Sequence, residues 1–361
     1  PGTAPAAGPL PIPLVLKPYE HENEQFGYLP AYPVTNQVYF DLENRPLVAS
    51  GSVLAVRHEQ QWMDFDLRDA LRAGGHPGTP TVSILSSKIA FDRDNDVYLL
   101  GRVDGRTCLL HSRNGGTSFA ATPLPGPERR SRSYDFEQFS GNNVPAGPPP
   151  ILRFTRTSSD PKRIWRRIND LELLLAEKSA TGLRFVEPVV ISRMCIGLSA
   201  HSGIPSTVVS RDDRVHVAWG EATDPEVKVP GLPAYVATYH RTTGELSQPA
   251  LVGYGAPPND IHNSPSIAID SAGYLHVLGG THGQPFPYAR SLEPNDASAG
   301  WTEAISVGEN TRQTYIGFVC DANDTLHLVS RMWRNRAEPH PLSIHATLAY
   351  QRKPSGKPWE E

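Results

Sequence analysis

The chain has 361 residues, with 34 Lys+Arg against 38 Asp+Glu for a net charge of −4, and 39% of its residues are hydrophobic. That apolar content excludes wholesale disorder, the charge gives no global argument for nucleic acid, and no apolar run reaches the roughly 18–20 residues that span a bilayer. The 35 Pro and 30 Gly are heavy punctuation for a helical protein, and Cys108, Cys195 and Cys320 outline neither a disulfide framework nor a zinc motif. These three are expected to be buried, inert thiols.

Residues 1–25 form a Pro-rich lead that begins PGTAPAAGPLPIP and has neither the charged nor the apolar region of a signal peptide. An export signal is expected to have been removed already, from a protein that is secreted or periplasmic. Within the lead, IPLVLKPY (12–19) is a candidate ring-closing strand. From there the chain repeats one pattern: an alternating apolar strand, an Asp-containing turn and a second apolar strand. It occurs in NQVYFDLENRPLVASG (36–51), SKIAFDRDNDVYLLGR (87–102), STVVSRDDRVHVAWG (206–220), SIAIDSAGYLHVLGG (266–280) and IGFVCDANDTLHLVSR (316–331).

The matching turn positions are Asp41, Asp92, Ser210, Asp270 and Asp321, at intervals of 51, 118, 60 and 51 residues. The long interval accommodates one degenerate unit in PPPILRFTRTSSDPKRIWRRINDLELLLAEK (148–178). Units of about 50 residues with further strand-like runs fit the four-stranded blades of a β-propeller. A β-sandwich needs about 100 residues and does not repeat in this way. SRNGGTSF (112–119) resembles the Asp-box of BNR-repeat propellers, with Asn114 for the usual Asp and Phe119 for the usual Trp, in the outer hairpin of the second unit. The last segment, GKPWEE, aligns with the outer segment AGWTEAISVG of the unit before. Six blades are therefore visible in residues 26–361, and seven are expected in a complete ring, with the chain continuing beyond this end.

Propeller blades run antiparallel from the innermost strand outward, so the entrance to each first strand and the exit of each second strand share one face. That rule collects His201, His262, Tyr315, His282, Arg331 and Arg102 at one funnel mouth, the expected active site. His216, His276 and His327 recur six residues after the turn position and read as packing residues. His262 and His282 instead break the repeat and sit in loops. The cluster RMWRNR (331–336) suits anion binding at Arg331 and Arg334. The run RFTRTSSDPKRIWRR (153–167) carries six Arg or Lys against one Asp, and it would attract a polyanion if it borders the funnel. ERRSRS (128–133) is a weaker basic stretch.

Two His, a Tyr and an Arg without a close carboxylate pair argue against ordinary glycoside hydrolysis. They suit β-elimination on a uronate, in which a carboxylate is neutralised, a base takes the C5 proton and an acid protonates the leaving O4. The run HNSPSIAIDSAGYLHVLGGTHGQPFPYARS (262–291), followed by TYIGFVCDANDTLHLVSR (314–331), resembles the BNR-repeat polysaccharide lyases, above all the ulvan lyases. His262 and His282 are 20 residues apart and Tyr315 and Arg331 are 16 apart, as the family pattern requires. The resemblance implies that His262 and Tyr315 are the acid/base pair, with Arg331 and His282 on the uronate carboxylate. Asn263, His201, Arg102, Arg334 and Tyr288 are the expected substrate contacts. It implies no cofactor for the chemistry, a structural zinc or calcium in some members, and a monomer acting on an anionic polysaccharide without nucleic acid or membrane. Two alternatives stay open: a propeller glycoside hydrolase acting on rhamnose–glucuronate linkages, and a non-catalytic glycan-binding propeller.

Overall fold

The structure, a computed structural model, describes residues 38–360 except 60, 129–131, 138–140, 164, 181, 199–205, 310 and 336–343. The expected ring-closing strand at 12–19 and His201 lie outside the described residues. The fold is a β-propeller, and six four-stranded antiparallel sheets stand among the described residues. The first blade comprises Tyr39–Phe40, Pro46–Ser50, Val53–His58 and Gln61–Asp66, and the second Val82–Phe91, Val97–Val103, Arg106–Ser112 and Ala120–Pro123. The third, built on the degenerate unit, comprises Arg132–Phe136, Ile151–Ser159, Arg167–Leu174 and Val189–Cys195. Val208–Arg211, Arg214–Gly220, Leu232–His240 and Ala250–Gly255 make the fourth; Ser266–Ile269, Leu275–Leu278, Phe286–Arg290 and Ile305–Val307 make the fifth. The sixth sheet joins Arg312–Cys320, Leu326–Asn335 and Ile344–Lys353 to His282–Gln284, a short strand lent by the fifth blade. Trp301 bridges to Ser291 in the fifth blade and Glu360 to Arg352 in the sixth, so GKPWEE takes the position its alignment implies.

Alternating apolar residues of facing blades form the core. Leu152, Phe154 and Leu171 of the third blade, for example, pack with Val215, Val217 and Trp219 of the fourth. The three cysteines are unpaired and buried, and burial pushes the Cys195 and Cys320 thiols up to about 12. The repeated turn has a clear physical role. The carboxylate at its first position caps the turn by accepting backbone N–H groups: Glu43 and Arg45 for Asp41, Asp94 and Asp96 for Asp92, Asn323 and Thr325 for Asp321. Six residues on, Tyr98 Oη, His276 Nε2 and His327 Nε2 bind the other oxygen of Asp92, Asp270 and Asp321. His276 and His327 thus brace their turns, as their position implies, while His216 pairs its Nδ1 with the Thr238 hydroxyl at 2.9 Å. Where the repeat has Ser210, the buried Glu137 of the third blade supplies the carboxylate and accepts from the Ser210 N–H and hydroxyl.

The Asp-box folds the second blade's outer hairpin: the Asn114 carbonyl accepts from Ser118 N at 3.0 Å, and Ser112 Oγ from Gly116 N at 2.9 Å. Two features depart from the simple repeat. Leu67–Ala73 is a helix between the first two blades, capped by Asp66, and it buries Leu67, Ala70 and Leu71 at helical spacing. Ala176–Ser179 and Gly182–Phe185 form an extra hairpin on the third blade. Among the described residues, no helix is long and apolar enough to cross a membrane.

Candidate functional site

The loop that enters the fifth blade begins with Asp260, in extended backbone, capping the single 3-10 turn Ile261–Asn263. Its Oδ1 accepts from His262 N at 2.9 Å and faces His262 Nδ1 at 2.5 Å, while its Oδ2 faces His282 Nδ1 at 2.8 Å. One carboxylate thus holds two imidazoles, whose ring centroids lie 4.5 Å apart. Burial alone would raise the Asp260 pKa. The hydrogen bonds from the two histidines outweigh it and hold the carboxyl well below the usual range. As an anion Asp260 can only accept, so both Nδ1 atoms donate to it and the Nε2 atoms are the ring positions through which protons can be exchanged.

His282 reaches Asp260 because the two loops touch backbone to backbone. Its N–H donates to Ala256 O at 2.7 Å. A Cβ on Gly280 would lie 2.4 Å from Asn263 C and Ser264 O, and one on Gly255 only 1.9 Å from Gly280 O, so neither position admits a side chain. Tyr315 enters from the sixth blade at a bulge between Thr314 and Ile316, with φ at +66°. A non-glycine residue in that conformation costs about 1–3 kcal/mol, and such strain concentrates at functional sites. Its ring centroid is 5.6 Å from that of His262. Arg331, paired with Thr314 across the same sheet, sets its guanidinium 4.3 Å above the Tyr315 ring and 4.6 Å from the Trp333 ring. No carboxylate of a described residue forms an ion pair with Arg331, and its Nε is buried without a hydrogen-bond partner among the described residues.

His262, His282, Tyr315 and Arg331, gathered at one funnel mouth by the repeat, therefore converge in space. Tyr288 is buried in the fifth blade with its hydroxyl on His276 Nδ1 at 2.8 Å and its ring against Trp359, which makes it a packing residue and not a substrate contact. Asn263 is also buried; its amide donates to Pro257 O, and its Oδ1 has no hydrogen-bond partner among the described residues. Arg102 is exposed at the exit of the second strand of the second blade, and the side chain of Arg334 lies outside the described residues.

Two contributors were missed by sequence reasoning. Asp260 stands two residues before His262, the spacing of a side chain that caps the turn it begins, and that signal was available. Trp165 is packed edge-on against His262 with centroids 4.7 Å apart. No local pattern could show it, because it comes from the third blade.

Asp260, His262 and His282 offer three metal-ligating atoms within 4.8 Å of one another. Their contacts of 2.5 and 2.8 Å are hydrogen-bond separations, whereas tetrahedral ligands at ~2.0–2.1 Å from zinc stand further apart. The carboxylate orients two imidazoles in the manner of a shared second partner. In the second acidic group, Lys178 Nζ lies 2.7 Å from Asp92, Asp94 and Asp96 alike, so an ammonium occupies the position a cation would take.

Residues 232–339 match the family model of BNR repeat-containing family members, a span holding Asp260, His262, His282, Tyr315 and Arg331. No curated protein matches the sequence. Among solved structures, a protein of unknown function from Dyadobacter fermentans is 11% identical at a TM-score of 0.42, covering 89% of this chain and 94% of its own. The six-bladed fucose-recognising lectin of Aleuria aurantia is 9% identical at a TM-score of 0.39, covering 90% of this chain and 88% of its own. A luciferin-regenerating enzyme is 12% identical at a TM-score of 0.40, covering 90% of this chain and 93% of its own.

Proposed function

We propose that the chain is a polysaccharide lyase that cleaves a uronate-containing glycan by β-elimination. The observation that carries this reading is a pair of tautomer-fixed imidazoles, on Asp260, beside an arginine with no carboxylate partner among the described residues. Arg331 and His282, the latter as its imidazolium with Nε2–H donating, take the uronate carboxylate, which makes the C5 proton acidic enough to remove. His262 and Tyr315 divide the acid/base work: one accepts the C5 proton, the electron pair of that C–H bond forms the C4–C5 double bond, the C4–O4 bond breaks, and the other protonates O4. Asp260 acts through the histidines by holding their Nδ1 atoms and compensating positive charge at the rings.

The hydrolase reading is weaker. Two carboxyls flanking the scissile bond are the usual requirement, and the described cluster has one, Asp260, already engaged by two imidazoles. The test is the ultraviolet absorbance of the unsaturated uronate, followed on glucuronan, ulvan, alginate and gum arabic. His262→Ala and Tyr315→Phe are expected to abolish it on the substrate the wild type cleaves; retained activity in both would refute the assignment.

A further inference from the structure

The hairpin at the exit of the third blade's second strand has no part in the chemistry above, yet it reaches the cluster. It runs from the strand Ile151–Ser159 through residues 160–166 into Arg167–Leu174. Trp165 lies edge-on to His262 while remaining 40% exposed, so part of its surface is open beside the reacting groups. Arg166 pins the hairpin by donating to Thr223 O at 3.2 Å, and Asn259, the neighbour of Asp260, accepts from Thr223 N at 2.7 Å.

The structure sorts the six basic residues of this stretch. Arg153 is buried and bound to Glu172, so it belongs to the blade. Arg163 lies 3.6 Å from Asp160 and 3.5 Å from Glu226, and Arg166 lies 3.9 Å from Asp160. Lys162 is exposed. Arg156 and Arg167 differ: neither has a carboxylate within ion-pair distance among the described residues, and they sit diagonally across the two strands, Arg156 opposite Asn169 and Arg167 opposite Ser159. Partial burial, and after it the Arg156 charge, depress the Arg167 pKa. Like charges so placed cost stability, and an anion between them relieves it. Trp165 and Arg167 are two residues apart, at most about 7 Å of chain, a span on the scale of one sugar unit.

We propose that this hairpin is a second anionic-glycan subsite: Trp165 stacks on the sugar next to the one being cleaved, and Arg156 with Arg167 grip the carboxylate of a uronate further along the chain. The inference deepens the lyase reading and rests on it for the identity of the polymer. It makes the substrate a run of uronates, or uronates at regular intervals, instead of a single terminal acid.

The experiment measures binding of hexaglucuronate by calorimetry at two salt concentrations, with a neutral β-glucan hexamer as control. Arg156→Ala/Arg167→Ala is expected to raise the Kd for hexaglucuronate by about tenfold or more and to flatten its salt dependence. Arg156 is exposed and Arg167 half-buried, and the variant removes two like charges, so the thermal midpoint should not fall. Trp165→Ala is expected to weaken binding and Trp165→Phe to restore most of it. The inference is overturned if the double variant binds within about twofold of wild type, if the neutral hexamer binds equally well, or if the wild type does not bind hexaglucuronate. The two readings separate cleanly. Arginine-dependent binding without unsaturated product upholds the subsite and sinks the lyase, whereas unsaturated product with an unchanged kcat/KM in the double variant does the reverse.

Discussion

Asp260→Asn tests the organisation of the site most sharply, because it keeps the shape and removes one of the two acceptors. Asp260 is 5% exposed and takes Nδ1–H bonds from both His262 and His282. An asparagine offers one carbonyl oxygen and one NH2, so one imidazole keeps its partner while the other faces a donor and must move its proton to Nδ1's opposite nitrogen, Nε2. Charge-assisted hydrogen bonds are worth about 1.5–3 kcal/mol each and neutral ones about 0.5–1.5; with both bonds made neutral, stability should fall by about 2–3 kcal/mol. The wrong tautomer removes a base, and a comparable Asp→Asn change behind a catalytic histidine costs about 10⁴ in rate, so kcat should fall by about 10²–10⁴. The pH dependence has a definite sign. The folded-state pKa of Asp260 is depressed, so its stabilising contribution is present above the unfolded carboxylate range and is lost as pH falls below it. The variant should lack that acid-side loss. Long-range ¹H–¹⁵N NMR of the imidazoles provides a readout independent of activity: the wild type should show both rings protonated at Nδ1. Wild-type kcat in the variant, or a ring in the wild type without a proton at Nδ1, would refute the reasoning.

Gly280→Ala forces a Cβ to 2.4 Å from the backbone of Asn263 and Ser264. It is expected to part the two histidine loops and lower kcat/KM by about tenfold or more at a stability cost of about 1–3 kcal/mol, read by kinetics and thermal melting. Glu137, wholly buried, is pushed up to about 7, with burial outweighing its bonds from Ser210 and Asn143. The native state keeps that proton longer than the unfolded one, so its contribution is complete below the unfolded pKa and is lost as pH rises through about 7. Glu137→Gln should remove up to about 3 kcal/mol of stability change between pH 4.5 and 7, measured by denaturation at several pH values. Lys178→Met leaves three carboxylates facing one another and should cost about 1–3 kcal/mol, with a Tm equal to wild type as the contrary result.

Much of the fold was legible because blades repeat a local device: a period-two strand and a turn capped by a carboxylate, to which the second, fifth and sixth blades add a polar residue six positions later that binds the same carboxylate. Asp92 with Tyr98 and Asp270 with His276 are the same solution written twice. What escaped depends on contacts between blades. Glu137 replaces the missing carboxylate at Ser210 from 73 residues away, and Lys178 bridges three acids of another blade. The helix Leu67–Ala73 is short and its amphipathic pattern is lost among strands. At the site, His262, His282, Tyr315 and Arg331 were legible since the repeat fixes which strand ends share a face. Tyr288 was misplaced because the strand Phe286–Arg290 turns it toward His276 and the core.

The most direct measurement of the central claim is a paired time course on a glucuronan solution, recording ultraviolet absorbance and reducing ends together. The account predicts that both rise in step with the wild type and that Arg331→Ala stops both, because an unneutralised carboxylate leaves the C5 proton in place. Reducing ends that rise without absorbance, or cleavage that survives loss of Arg331, would contradict it.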